Sequence, residues 1–359
     1  IEIDYYRDAS ITIQALKAGE YDIRRENIAK SWATNYGSDV PAIADEMIKT
    51  IEIPHQIPTG MQAFVFNTRR EKFSDPLVRQ ALGHVFDFEW SNKQLAFGAY
   101  TRTKSYFSNS PLASDGLPSA AELELLEPYR DQLPQAVFEK EYQPHQTDGS
   151  GRNRAGLRTA MDLFKQAGYE LRDGKMVDAD TGQPFTFEIL EQSPSFERWV
   201  LPFIRQLNKI GVQANFRLVD SSQYQNRMDN FDFDMTVAVF PQSLSPGNEQ
   251  RDFWGSEMAD VAGSRNIIGI KNPVVDEFIG HITNAQTRDE LVTAVKALDR
   301  VLLWHHYVIP HWHIRHFRIA HWDKFGRPDN PAPYGLNLID TWWVDGDKAA
   351  SVNAYLGQE

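Results

Sequence analysis

Apolar and polar positions alternate with two periods along most of this chain. Ile1-Glu2-Ile3-Asp4-Tyr5-Tyr6 has period two and reads as a strand already under way at the first residue. A helical period over 10–18 closes at Gly19, the residue type that most readily takes the left-handed turn after a helix. A short strand at 21–23, helices near 26–35 and 39–47, and strands at 51–55 and 62–67 follow; Phe64 and Phe66 fall on one strand face. Ser74-Asp75-Pro76 supplies a cap and a first-turn proline for a helix whose apolar stripe is Val78, Ala81, Leu82 and Val85. Farther on, helices at 153–167, 195–208 and 221–229 alternate with strands at 185–190, 212–218 and 234–240. That alternation predicts an α/β layer. Helices at 273–285 and 287–303 and strands at 308–313 and 315–320 come next, and the aromatic tail reads as irregular. The stretches 103–118 and 128–151, rich in Pro, Ser, Gly and Asp, read as long irregular connections.

Composition narrows the possibilities. The 359 residues are enough for two or more domains, and a hydrophobic fraction of 42% supports a large core. A formal charge of −12 argues against a nucleic-acid partner and against an anionic lipid surface. With no cysteine, disulfides, thiolate metal sites and cysteine nucleophiles are excluded. No apolar run approaches the roughly 20 residues of a membrane span, and no signal-peptide pattern is visible. The abrupt opening on a strand predicts a cut within a longer protein, with targeting information upstream.

Candidate chemistry is sparse. His305, His306, His311, His313, His316 and His321 crowd one stretch, and His311 and His313 on one strand would share a face able to hold a metal ion. No HExxH spacing accompanies them, so lining and surface roles compete with ligation. Asp232-Phe233-Asp234 offers a carboxylate pair, against which stands the ordinary use of Asp in turns. GxSxG, P-loop and GxGxxG motifs are missing. Trp254, Trp304, Trp312, Trp322, Trp342 and Trp343 enrich the C-terminal third in rings that can line a cleft or fill a core. The loop Pro241-Gln242-Ser243-Leu244-Ser245-Pro246-Gly247-Asn248-Glu249 follows a buried-looking strand, and α/β units bind ligands just beyond the carboxyl ends of strands.

Several segments resemble one family. Ala15-Leu16-Lys17-Ala18-Gly19-Glu20-Tyr21-Asp22 is similar to an element of the family 5 extracellular solute-binding proteins, the oligopeptide- and dipeptide-binding class. So are Phe66-Asn67-Thr68 with Phe73-Ser74-Asp75-Pro76-Leu77-Val78-Arg79-Gln80-Ala81-Leu82, and Ala160-Met161-Asp162-Leu163-Phe164-Lys165-Gln166-Ala167-Gly168-Tyr169. Asp87-Phe88-Glu89-Trp90-Ser91-Asn92-Lys93, the 243–249 loop, Gly263-Ser264-Arg265-Asn266 and Trp322-Asp323-Lys324-Phe325-Gly326 resemble the subclass associated with peptide and microcin C uptake.

The resemblance implies an α/β periplasmic binding protein-like fold of type II, cluster C, with two lobes of which lobe I is incomplete. Residues 1–70 would end the first pass of lobe I, 71–305 form lobe II, and 306–359 return to lobe I; open sheet edges would remain near 1–6 and 62–67. It implies the substrate-binding component of an ABC importer, a non-enzyme that captures peptides, microcin C-like peptides among them, between its lobes. The partners would be the peptide and the membrane permease, with no cofactor and no membrane insertion, for a periplasmic monomer whose signal peptide lies upstream. Gln242, Ser243, Ser245, Asn248, Ser264, Arg265 and Asn266 would converge on one concave surface of lobe II, with Trp254 and Trp312 as walls and Arg265 meeting a peptide carboxylate. The competing reading is a metal-assisted periplasmic hydrolase using the 305–321 histidines.

Overall fold

In the computed structural model, which describes residues 2–6 and 9–357, the strand Met61–Phe66 is hydrogen-bonded on one side to Val308–Pro310 and on the other to Met235–Phe240. Thr186–Glu191 and Gln213–Leu218 extend this into a five-stranded sheet, the last three strands parallel. The sheet belongs to a unit made of Pro58–Leu95 and Tyr100–His313. A second unit comprises Ile1–Ile57, Ala96–Ala99 and Ile314–Glu359. These boundaries differ from the expected crossings at 70 and 305, because the strand ladders tie 61–66 and 308–310 into the larger sheet. Nor is 62–67 an open edge: Met61–Phe66 has a strand on each side.

Strand alternation gives the large sheet two apolar faces. Met61, Ala63, Val65 and Phe240 face a core closed by the helices Pro273–Asn284 and Arg288–Trp304 with Tyr106, Phe107 and Trp254. Phe64 points the other way, edge-on to Phe86 at 5.5 Å and stacked on Phe203 at 5.1 Å. The helix Pro76–Val85 starts as its residues dictate, with Asp75 accepting from the Leu77 amide at 2.7 Å and Pro76 at the first turn. Arg79, buried on that helix, donates to the carbonyls of Phe73 (2.7 Å), Ser74 (2.8 Å) and His305 (2.7 Å). Asn67 similarly donates to the Phe231 and Phe233 carbonyls. The motif residues 67 and 79 thus join distant segments by satisfying carbonyls that burial would otherwise leave unpaired.

The smaller unit is built on an antiparallel sheet of Ile23–Arg25, His316–Trp322 and Ile48–Pro54. Leu16 from Ala9–Lys17 and Val352 from Gly346–Leu356 pack on Ile48, Ala320 and Trp322. Trp322 Nε1 donates to the Leu16 carbonyl at 2.8 Å. Gly19 turns at φ +77°, and a side chain there would strike Leu356.

Three sequence expectations change. Residues 2–6 form no strand, and Ile3 and Tyr5 are exposed; among the described residues no strand offers them a ladder, while Ile1 lies outside those residues. The tail is less irregular than expected, since Gly346–Leu356 is a helix. Within the supposed connection 128–151, Ala136–Glu139 is a short helix, and between the two connections Ala120–Leu126 is a helix opened by a capping box of Ser119 and Glu122.

Candidate functional site

The parallel strands Thr186–Glu191, Gln213–Leu218 and Met235–Phe240 finish at one end of the large sheet. The antiparallel register brings the start of Met61–Phe66 and the end of Val308–Pro310 to the same end, pairing Met61 with Phe240 and Ala63 with Pro310. Gln62, Glu191, Val239, the loop after Phe240 and His311-Trp312-His313 therefore gather there.

The central feature of this end is a partly open strand edge. Asn67 N–H donates to the Asp234 carbonyl at 3.0 Å. By antiparallel alternation, Thr236, Ala238 and Phe240 then bond toward Met61–Phe66, while Val237 and Val239 turn their amides to the opposite edge. On that edge the parallel ladder with Thr186–Glu191 ends at Thr236. The Glu191 carboxylate accepts from the Val237 amide and from Ser193 at 3.3 Å. Glu191 is 3% exposed; burial pushes its carboxyl up to about 7, against the opposing pull of the Ser193, Val237 and Gln192 amides. Past Glu191, no strand among the described residues continues this edge beside Val239, which pairs only with Gln62 on the opposite edge and is 53% exposed.

Aromatic rings back this end. Trp312 stacks on Trp199 at 3.9 Å, on Tyr100 at 5.6 Å and on the His311 ring at 4.8 Å. His311 donates its amide to the Gln62 carbonyl at 2.8 Å, and its Nδ1 lies 3.5 Å from Gln62 Nε2. His311 Nε2 and Gln242 Nε2 are buried without hydrogen-bond partners.

The residues expected to converge are divided by the fold. Gln242, Ser243 and Ser245 lie in the loop at the strand ends, and Trp312 is beside them on the register. Gln242 Oε1 accepts from Gln250 Nε2 at 2.7 Å, and Gln250 in turn accepts from Trp254 Nε1 at 2.9 Å. Trp254 is therefore a fully buried core ring that anchors the loop, not a wall. Asn248 is exposed at the start of the helix Glu249–Trp254. Residues 264–266 belong to a segment tied to the other end of Met61–Phe66, where Thr68 N–H donates to the Ile268 carbonyl and Arg69 to those of Ile267 and Asn266. That strand's length, about 17 Å at some 3.4 Å per step, keeps this anchor from the loop. Asn266 is fully buried and spends its amide on Gly255 O, Ile270 O, Gly269 N and Ile270 N. Ser264 donates to Met258 O, and Arg265 lies 4.0 Å over the Phe253 ring. Asn266 is thus structural, and Ser264 and Arg265 are held elsewhere. Glu191, Gln62 and Trp199, not singled out from the sequence, are brought to the strand ends by pairings between remote segments.

The histidines disperse. His316 and His321 belong to the smaller unit and the other four to the larger. Burial lowers the His311 pKa well below its ordinary value, and His313 bonds Thr103 Oγ1 at 3.1 Å. Among the described residues no three His, Asp or Glu side chains assemble as a metal-binding group, and no helix is long and apolar enough to cross a membrane.

Comparison with known proteins adds to this geometry. The profile described as bacterial extracellular solute-binding proteins, family 5, middle region, matches residues 1–259. The chain is 45% identical over 345 residues to the "Probable peptide-binding protein YejA" of Agrobacterium fabrum, covering 96% of this chain and 56% of that protein. It is 40% identical over 353 residues to the "Uncharacterized protein YejA" of Escherichia coli K12, covering 98% of this chain and 58% of that protein. Its structure resembles the oligopeptide-binding protein AppA of Bacillus subtilis in complex with a nonapeptide, with TM-score 0.68 and 18% identity over 94% of this chain and 59% of that one. The likeness shows an α/β periplasmic binding protein fold. The chain spans a little over half the length of the relatives it matches.

Proposed function

The chain belongs to the bacterial extracellular solute-binding proteins of family 5, and from that premise we propose that the whole protein binds peptides outside the cytoplasm and passes them to an ABC-type permease. The observation that carries this reading is the open edge at Val239. An extended peptide can add there as a strand, exchanging main-chain hydrogen bonds with the Val239 amide and carbonyl. Such bonds ignore side-chain identity, which suits a carrier of varied peptides. The exposed Ser243 and Ser245 would flank the added strand with adaptable hydroxyls. Gln242, half-buried in the loop, has an amide nitrogen without an acceptor, which a peptide carbonyl would supply. Trp312 and its stacked neighbours give the surface a rigid apolar backing.

The names of relatives support peptide as the ligand class, and within it microcin C-like peptides are the finer proposal. The proposed lobe assignment follows the compact units: Pro58–Leu95 with Tyr100–His313 as one lobe, and the remaining residues as part of the other. The proposed location is the periplasm, and the proposed active form is a monomer.

Native mass spectrometry of the full-length protein after incubation with a peptide mixture tests the proposal. Intact peptide masses should be retained, and backbone N-methylation of a retained peptide should abolish retention. Shortened peptides in solution would favour a hydrolase and contradict the proposal.

A further inference from the structure

Away from the strand ends, the larger unit contains a cavity of about 280 Å³ between the helices Phe88–Leu95 and Glu197–Lys209. Three segments build it. The 147–151 loop is tied to the first helix: Thr147 donates through Oγ1 to Asp87 Oδ1 at 2.5 Å and through its amide to Glu89 Oε2 at 2.9 Å. Gln206 of the second helix donates to the Gly151 carbonyl at 3.2 Å. Gly151, at φ +78°, sits so close to Trp90 that a Cβ would lie 2.9 Å from the indole Cδ1. Each tie fixes a wall, so the cavity is a framed feature of the fold.

Its lining is polarised. Phe86 and Phe203 are buried on the sheet beside Phe64, and Trp90 stands above them as a further apolar wall. Asp87 is 5% exposed; its Oδ1 accepts from Trp90 N–H and Thr147, while its Oδ2 is buried with no hydrogen-bond partner. Arg102 is near enough to feel the Asp87 charge, yet among the described residues no hydrogen bond joins them. Arg205 and Lys209 are exposed residues at the other side of the lining. A carboxylate oxygen without a donor, apolar rings and cationic side chains are the complement of a small zwitterion with an apolar body.

We propose that this cavity is a second binding site, for a free amino acid with an apolar or aromatic side chain. The ammonium donates to Asp87, the side chain lies against Trp90 and Phe203, and the carboxylate meets Arg205 and Lys209. The volume suits such a molecule and is too small for a peptide of several residues. The proposal is independent of peptide binding at Val239.

Calorimetric titration of the full-length protein with L-phenylalanine, phenethylamine and 3-phenylpropionate tests it. L-phenylalanine should saturate one site. Asp87→Asn should weaken L-phenylalanine and phenethylamine by about tenfold or more and leave 3-phenylpropionate unchanged. Paired Arg205→Gln and Lys209→Gln should do the reverse, weakening L-phenylalanine and 3-phenylpropionate alone. Should Asp87→Asn fail to fold, the rim variant decides, because its side chains are exposed. Absence of saturation by L-phenylalanine, or binding to which the rim variant is indifferent, overturns the proposal.

Discussion

The indole of Trp312 lies on that of Trp199 with ring centroids 3.9 Å apart and planes 27° from parallel. The two residues reach each other from a short strand and a helix separated by more than a hundred positions. A stacked aromatic pair contributes about 0.5–1.5 kcal/mol beyond the area it buries. A double-mutant cycle of Trp199→Ala and Trp312→Ala, read by urea unfolding, should return a coupling of that size. Additive losses would show that the rings are merely adjacent.

Asn266 should behave as a structural residue. Asn266→Ala leaves the Ile270 carbonyl and amide without partners inside the fold, while Gly255 O keeps the Met258 amide and the Gly269 amide keeps the backbone carbonyl of residue 266. Each buried orphan costs about 1–3 kcal/mol, partly relieved by relaxation, so a total near 3 kcal/mol is expected. Chemical denaturation measures the loss. Peptide affinity per folded molecule should be unchanged, and a selective loss of affinity would return Asn266 to the binding surface.

Glu191 should make stability depend on pH in a particular sense. Its folded pKa of about 7 lies above the ordinary 4.5. The folded state therefore binds the extra proton, and Glu191 contributes stability below pH 4.5 that is lost as pH rises through 7. The loss amounts to about 3 kcal/mol. Half-buried His84 and His306, lowered to about 4 and about 3, oppose it: they favour the folded state above pH 6.5 and lose that contribution as pH falls. The test is thus a difference between proteins. Relative to wild type, Glu191→Gln should gain stability from pH 4.5 to 7.5. A pH-independent difference would mean that Glu191 stays ionised when folded.

The fold was legible where local pattern and tertiary structure agree. The alternation from 153 to 240 appears as the helices and parallel strands of the larger unit, and Asp75-Pro76 opens its helix in the expected way. Gly346–Leu356 was hidden because Val352 is the one residue it buries, too little to mark a stripe. Ala120–Leu126 carried a readable signal, Ser119 with Glu122, in the short gap between two stretches whose prolines and serines suggested loops. The strand-end surface was only partly legible. The loop from Gln242 to Ser245 follows from its place after a strand. Gln62, Glu191 and Trp199 do not, because strand order is set by pairings such as Ala63 with Pro310, nearly 250 residues apart.

Strand addition at Val239 is tested most directly by titrating the protein with one extended peptide and its backbone N-methylated analogue. It should bind the unmodified peptide and lose at least tenfold with the analogue, because each main-chain hydrogen bond removed is worth about 0.5–1.5 kcal/mol. Equal affinity for peptide and analogue would contradict the account.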